Sequence, residues 1–297
     1  SIFSMMTKIF KDKKEPLYNR QTRFMSIKPF TPAVLKEIMA EYNPNYTAED
    51  LLALYSFTGG VAKYVQLLVD AGATTRVKML NYIIKADSVF LGEGKAILIE
   101  EFGKDYGVYF SILSAIARGK TSRSKIEKIV GREIGGYLTK LEKEYEIITK
   151  NQPIFEKSST KNVHYTIEDN FFCFWFRFIY KYNYMLEIEN YDAVKTIINR
   201  DYETFSGKML ERYFKRVLME SKAFTRIGSW WDRKGENEID IVAENELNDE
   251  AVFIEVKRKE ENFNANVLNE KVGVFTRATG KFKDYAVSQK GLSMTDM

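Results

Sequence analysis

Two apolar stretches near the C-terminus carry charged residues where a sheet core is expected. Residues 237–243 read NEIDIVA and residues 251–257 read AVFIEVK, and runs of this length and composition predict β-strands. Asp240 lies inside the first run, while Glu255 and Lys257 lie at the end of the second. Strand side chains alternate between two faces, so Glu255 and Lys257 share one face. The chain therefore concentrates two acids and a lysine in one predicted strand pair.

Pairing of these strands would bring Asp240 and Glu255 to one divalent cation. The backbone carbonyl of Val256 would supply a further oxygen ligand, and such hard ligands suit Mg²⁺ or Mn²⁺. A bound ion polarises a phosphoryl oxygen and lowers the pKa of its water. Lys257 could then orient an attacking water or stabilise a pentavalent phosphate. We expect metal-dependent phosphodiester hydrolysis here; the alternative is a hairpin with charged residues on its solvated face.

The scarcity of histidine and cysteine narrows the chemistry further. The chain of 297 residues has one histidine, His164, and one cysteine, Cys173. This composition excludes a histidine-rich metal site and a disulfide framework, and it disfavours a Ser-His-Asp triad or a Cys-His pair. Carboxylate and lysine chemistry is what the chain offers. Besides the catalytic candidates Asp240, Glu255 and Lys257, the further candidate acids are Glu211, on a predicted helix, and Glu238.

Composition also indicates where the protein acts. No run approaches the roughly 18 apolar residues that span a bilayer, and the N-terminus lacks a signal-peptide pattern. We therefore expect a cytoplasmic protein without a membrane partner. The net charge of +4 is small for 297 residues, so any affinity for nucleic acid must come from local basic patches.

The central third of the chain has the pattern of a DNA-binding module. Residues 106–145 predict three helices, and residues 146–155 and 163–170 predict two strands. This order is that of a winged helix-turn-helix, whose third helix reads DNA. The alternative is a winged helix that contacts a protein. The candidate DNA-contacting residues are Arg132, Tyr137, Lys140 and Lys143 on or next to the third helix, and Lys157 and Lys161 on the wing.

The C-terminal third resembles the PD-(D/E)XK restriction-endonuclease-like superfamily. Its predicted order is helix, three strands, helix, strand, and Asp240, Glu255 and Lys257 stand in the pattern D-x14-E-x-K. The resemblance implies an αβββαβ domain with a metal site at Asp240 and Glu255. The superfamily also contains members that bind nucleic acid without cutting it.

In chain order, segments from SIFSMM through TGGVAKYV to WWDRKGENEIDIVA resemble, over nearly the whole chain, an archaeal-type AAA+ ATPase family that ends in the domain of unknown function 234. It implies a truncated product that lacks the ATPase core, so ATP would bind only in the full-length protein. The chain has no GxxxxGK[ST] phosphate-binding loop. Arg20 and Arg23 would lie near the nucleotide. The matching segments, in chain order, are SIFSMM, PLYNRQTR, TGGVAKYV, FFCFWFRF and WWDRKGENEIDIVA.

Together these observations predict a multidomain protein of α plus α/β class. Its most specific expected function is DNA binding through the winged helix, with Mg²⁺- or Mn²⁺-dependent cleavage by the nuclease-like domain. The alternatives are a non-catalytic regulator that binds DNA or protein under ATP turnover, and a protein-interaction module that self-associates or binds a protein partner. The expected domains are an AAA+ core tail (1–28), a helical AAA+ lid (29–100), a winged helix (101–170), an aromatic helical connector (171–200) and a nuclease-like domain (201–297).

Overall fold

A computed structural model describes residues 13–20, 22, 25, 27–157 and 160–297. The chain divides into two compact units, each assembled from separate segments. The first unit is drawn from residues 1–29, 80–150 and 164–195, and the second from residues 30–79, 151–163 and 196–297. The expected division into five consecutive domains stays a prediction.

The chain forms four short helices between residues 32 and 83: α1 (Pro32–Tyr42), α2 (Ala48–Thr58), α3 (Ala62–Asp70) and α4 (Arg76–Ile83). Their starts follow from local chemistry. Thr31 Oγ1 accepts a hydrogen bond from the N–H of Val34, and Thr47 forms a reciprocal capping box with Asp50. Both side chains satisfy backbone donors that a helix start leaves unpaired. Thr31 and Thr47 therefore fix where α1 and α2 begin.

The first unit combines helices with a two-stranded sheet. After α5 (Val89–Phe102), the three helices α6 (Tyr106–Ala117), α7 (Arg123–Val130) and α8 (Gly135–Lys143) precede β1 (Ile148–Asn151) and β2 (His164–Ile167), which pair with each other. This is the predicted order of elements. Its assignment as a winged helix-turn-helix stays a prediction.

The aromatic run from residue 171 is helical and forms the core of the first unit. Helix α9 (Asn170–Phe174) continues into a π-helical turn (Trp175–Tyr180) and is followed by α10 (Asn183–Glu187). Trp175 and Phe176 are buried and pack edge-on against Phe110 of α6. These aromatic residues therefore pack in a core and do not line a free surface.

The second unit contains the sheet that carries the charged strand pair. Helix α11 (Tyr191–Ser221) enters this unit from residue 196, and it precedes β3 (Arg226–Trp231), β4 (Glu238–Asn245), β5 (Glu250–Val256), α12 (Ala265–Thr279) and β6 (Ala286–Leu292). The strand order is β3-β4-β5-β6. Strands β3, β4 and β5 are antiparallel neighbours, whereas β6 runs parallel to β5. The predicted order of helix, three strands, helix and strand is thus observed.

Helix α12 covers one face of this sheet through an aromatic core. The ring of Phe275 on α12 lies 5.5 Å from Trp230, 5.1 Å from Phe253 and 5.8 Å from Phe282, measured between centroids. All four side chains are buried. Phe253 lies two residues before Glu255, so strand alternation turns Glu255 to the side of the sheet that α12 covers.

Residues 151–163, which include the predicted wing residues Lys157 and Lys161, belong to the second unit. The N–H of Ile154 donates to the carbonyl of Ser229 at 2.9 Å, and Trp231 Nε1 donates to Asn162 Oδ1 at 2.9 Å. This loop therefore packs along β3 of the sheet. Among the described helices, none combines the length and apolar character needed to cross a membrane.

Two glycines of α5 provide a matched test of the packing in the first unit. A Cβ on Gly94 would collide with the indole ring of Trp175, whereas a Cβ on Gly92 would meet no atom within 4 Å. We expect Gly92→Ala to stabilise the protein by about 0.5–1 kcal/mol because alanine favours helix. Gly94→Ala should destabilise it by about 1–3 kcal/mol through overpacking. Urea unfolding of both variants measures the difference, and a Gly94→Ala protein as stable as Gly92→Ala would contradict the described packing.

Candidate active site

The register of β4 and β5 brings the two central acids together. Ile241 lies opposite Ile254 and Val242 opposite Phe253, so Asp240 and Glu255 occupy the next position at the end of the ladder. Asp240 Oδ2 accepts a hydrogen bond from the N–H of Val256 at 2.8 Å. The strand pairing on which the sequence-based hypothesis depends is confirmed.

Glu255 is the most deeply buried acid of this group, with 7% of its surface exposed. Its Oε1 atom accepts hydrogen bonds from Lys257 Nζ at 2.8 Å and Lys271 Nζ at 2.9 Å. Its Oε2 atom is buried and has no hydrogen-bond partner within the described ranges. A buried carboxylate oxygen without a partner is costly, so this atom is a site where a cation or a proton donor would be stabilised.

The two lysines keep Glu255 ionised. Burial alone would raise the pKa of the Glu255 carboxyl, but hydrogen bonds and charge attraction from Lys257 and Lys271 outweigh it and hold the pKa below its usual range. Burial likewise opposes the charge of Lys257, yet Glu255 and Asp240 raise the pKa of this lysine above its usual value. Both partners are therefore charged at neutral pH.

A second charged group lies beside the first and involves the middle of α11. Lys208 Nζ lies 3.0 Å from Glu211 Oε1 and 3.7 Å from Glu238 Oε1. Burial opposes the charge of Lys208, but the two glutamates outweigh it and raise the lysine pKa. Burial and then the nearby charge of Asp240 raise the pKa of Glu211 to about 8.

Asp240 links the two charged groups electrostatically. Burial raises the pKa of its carboxyl, the hydrogen bond from Val256 opposes this change, and the charge of Glu255 adds to the rise. Close carboxylates disfavour one another's ionisation. The raised pKa values of Asp240 and Glu211 indicate that added positive charge would be favourable beside these two carboxyls. Lys257 and Lys271 already neutralise Glu255.

The donor atoms fit a divalent cation held by two carboxylates. Asp240 and Glu255 offer hard oxygen ligands, and the unpartnered Glu255 Oε2 is the clearest candidate among them. In the part of the chain that the structure describes, no cluster of three or more histidine, cysteine, aspartate or glutamate residues is arranged to hold a metal ion. Water, a backbone carbonyl or substrate oxygens would have to complete the coordination sphere, as is usual for Mg²⁺.

Two lysines of the site, Lys208 and Lys271, are missing from the residues identified by sequence. Each lies on a helix, and no regular sequence spacing links either lysine to the D-x14-E-x-K pattern. The available signal was the position of α12 directly after the strand that carries Glu255. A helix that follows a strand packs back across the sheet, so its inward-facing lysine can reach the end of that strand.

The residues predicted to contact DNA occupy both units. Lys140 and Lys143 lie exposed on α8, and Arg132 is exposed in the turn before it. Tyr137 is half-buried, with its ring 5.2 Å from that of Tyr109 and at a steep angle to it. The predicted wing residues Lys157 and Lys161 are exposed on the loop that belongs to the second unit.

The two arginines that the AAA+ resemblance places near nucleotide differ in what the structure shows. Arg20 is exposed, and its N–H donates to the carbonyl of Leu17 at 3.1 Å. Arg23 lies outside the described residues.

Comparison with known proteins finds one family of unknown function that is similar to part of this chain. Residues 175–269 match DUF234, a family described as archaeal and bacterial proteins of unknown function. The match includes Asp240, Glu255 and Lys257 and ends just before Lys271. A relative from Methanocaldococcus jannaschii, the uncharacterized protein MJECL04, is 32% identical over 274 residues. The alignment covers 88% of this chain and 58% of the relative, so the chain spans little more than half of that protein. No solved structure matches the chain.

The raised pKa of Glu211 predicts a pH-dependent effect on stability. When a carboxyl has a higher pKa in the folded than in the unfolded protein, the protein loses stability as the pH rises between these two pKa values. Glu211→Gln removes this loss, so its free energy of unfolding should increase relative to wild type from about pH 4.5 to pH 8. Urea titrations across this range measure the difference. Glu203→Gln, an exposed change on the same helix, is the matched control, and an equal pH trend in both variants would contradict the assignment.

Proposed function

We propose that the C-terminal part of this chain is a metal-dependent phosphodiesterase domain of the PD-(D/E)XK type that acts on DNA. The observation that carries the proposal is the arrangement around Glu255. Asp240 lies beside this carboxylate on the neighbouring strand, Lys257 Nζ lies 2.8 Å from one carboxylate oxygen, and the other oxygen has no partner among the described residues.

Asp240 and Glu255 would hold Mg²⁺ or Mn²⁺, with the carbonyl of Val256 as a further ligand. A bound ion would supply polarisation of the phosphoryl oxygen and a lowered pKa for water. Asp240 would be fixed for this role by the N–H of Val256, which orients its carboxylate from the neighbouring strand. The hydrogen bonds from the two lysines would orient Glu255 in the same way.

Lys257 would act as a positive charge in this mechanism and would not accept a proton. Its pKa lies above the usual value because Glu255 and Asp240 favour its charged form. Its side chain is 38% exposed, so the ammonium group can reach a phosphate that approaches from solvent. An ammonium placed there stabilises the negative charge that develops on the phosphate. The lysine would also orient an attacking water through its remaining N–H groups.

DNA is the proposed substrate because the first unit presents exposed basic residues. Lys140 and Lys143 project from α8 of the first unit, and neither is buried in its core. Such lysines suit contacts with phosphate. In this proposal the domain belongs to an archaeal-type AAA+ ATPase, and ATP binds to a part of the full-length protein that the chain does not contain. The greater length of the relative is compatible with this organisation.

Cleavage of supercoiled and linear DNA in Mg²⁺ or Mn²⁺ tests the proposed function. Lys257→Ala should lower the cleavage rate by about 100-fold or more, because a charge at the reacting phosphate is lost. Lys259→Ala is the matched control, since Lys259 is a neighbouring exposed lysine that pairs with Glu261 and has no proposed role. Equal cleavage by wild type and Lys257→Ala would refute the proposed site and indicate a contaminating nuclease.

The second candidate function is a non-catalytic regulator that binds DNA or a partner protein. The observation that favours it is the neutralisation of Glu255 by two lysines, together with the lack of a three-ligand acidic cluster in the described residues. A domain with this arrangement could recognise phosphate without cutting it. Self-association or a protein partner would then replace catalysis as the output of ATP turnover.

Charge reversal on α8 tests DNA binding under either function. The double variant Lys140→Glu/Lys143→Glu should weaken binding to all DNA sequences and flatten its salt dependence, because phosphate contacts are lost. Fluorescence anisotropy at several salt concentrations measures both effects. Lys95→Glu/Lys283→Glu makes the same change of net charge at exposed positions outside α8. Equal loss of affinity in both double variants would show that α8 is not the binding surface.

A further inference from the structure

The two lysines that contact Glu255 differ in their freedom to move. Lys257 lies just after the end of β5, and 38% of its side chain is exposed. Lys271 lies inside the helix α12, and 19% of its side chain is exposed. Both ammonium groups contact the same atom, Glu255 Oε1. The Lys257 side chain can therefore turn toward solvent, whereas Lys271 is held over the carboxylate by its helix.

This arrangement determines how Glu255 can bind a divalent cation. Its second oxygen, Oε2, has no hydrogen-bond partner in the described part of the chain, so a cation would bind there. Lys271 Nζ lies 2.9 Å from the other oxygen of the same carboxylate. A cation on Oε2 would thus lie within several ångströms of a fixed positive charge, and like charges at such distances repel strongly in a partly buried site.

We propose that Lys271 is a positioning residue that orients Glu255 and, through its own charge, lowers the affinity of the Asp240–Glu255 pair for a divalent cation. The inference rests on the proposed function, because it assumes that these two carboxylates bind a metal ion. It adds a residue that sets how tightly the ion is held. A weakly held ion would bind productively only when another negative group, such as the phosphate of a substrate, contributes to its coordination.

Lys271 also has an effect that favours cation binding, and at neutral pH this effect is smaller than its repulsion of the cation. Lys271 helps to keep Glu255 ionised, and an ionised carboxylate is the form that binds metal. Loss of Lys271 leaves Lys257 on the same oxygen, 2.8 Å away. The remaining ion pair with Lys257 still favours the ionised form of this carboxylate. Removal of the repulsion then dominates, and the affinity for the cation rises.

Titration of the protein with Mn²⁺ alone at pH 7.5 tests the inference without measuring activity. Bound Mn²⁺ is measured from the electron paramagnetic resonance signal of the free ion. Lys271→Met should bind Mn²⁺ about tenfold more tightly than wild type, because one nearby positive charge is removed. Lys271→Arg keeps the charge and should restore the wild-type affinity. Lys257→Met should change the affinity less, since the more exposed Lys257 side chain can turn away from the ion.

Control variants separate the failure of this inference from the failure of the proposed function. Asp240→Asn should abolish Mn²⁺ binding in the wild-type background and in Lys271→Met. Binding that depends on Asp240 but is unchanged or weaker in Lys271→Met would overturn the inference alone. Mn²⁺ binding by neither protein, or binding that ignores Asp240, would overturn both. Lys271→Gln is a second neutral variant that can still donate to Glu255, and it replaces Lys271→Met if circular dichroism shows that the methionine variant does not fold.

Discussion

The antiparallel alignment of β4 with β5 positions the charged residues of the candidate site. Buried side chains hold this alignment, including Ile241 opposite Ile254 and Val242 opposite Phe253. A shift of one residue would turn a whole strand over. Its acid would then point to the opposite face of the sheet, away from Lys271 and the side that α12 covers. The packing of the sheet core and the meeting of Asp240 with Glu255 therefore depend on the same register.

Burial of Glu255 requires compensation, and the surrounding lysines supply it. An ionised carboxylate in a protein interior is unfavourable unless it is paired. Lys257 and Lys271 pair with one oxygen of Glu255, and Lys208 bridges Glu211 and Glu238 nearby. These contacts stabilise the charged end of the sheet. Glu255 Oε2 has no hydrogen-bond partner in the part of the chain that the structure describes. The same arrangement thus supports the folded domain and keeps a ligand atom available for a cation.

The sequence predicted the local elements of the second unit more completely than its long-range contacts. Alternation and apolar runs indicated β4 and β5, because both signals are local. Lys271 was missed because it lies 16 residues from Glu255, on a helix whose orientation no local pattern specifies. Lys157 and Lys161 were assigned to a wing, since a hairpin pattern does not show that its loop packs along β3.

The position of a bound ion is the most direct test of the central claim that Asp240 and Glu255 form a metal site. Crystals of the protein grown with a short DNA duplex and soaked in Mn²⁺ would locate the ion through its anomalous diffraction. We expect an anomalous peak at coordination distance from a carboxylate oxygen of Asp240 and from Oε2 of Glu255. A peak bound only elsewhere, or clear density for Lys271 or Lys257 on both Glu255 oxygens without any anomalous peak, would contradict it.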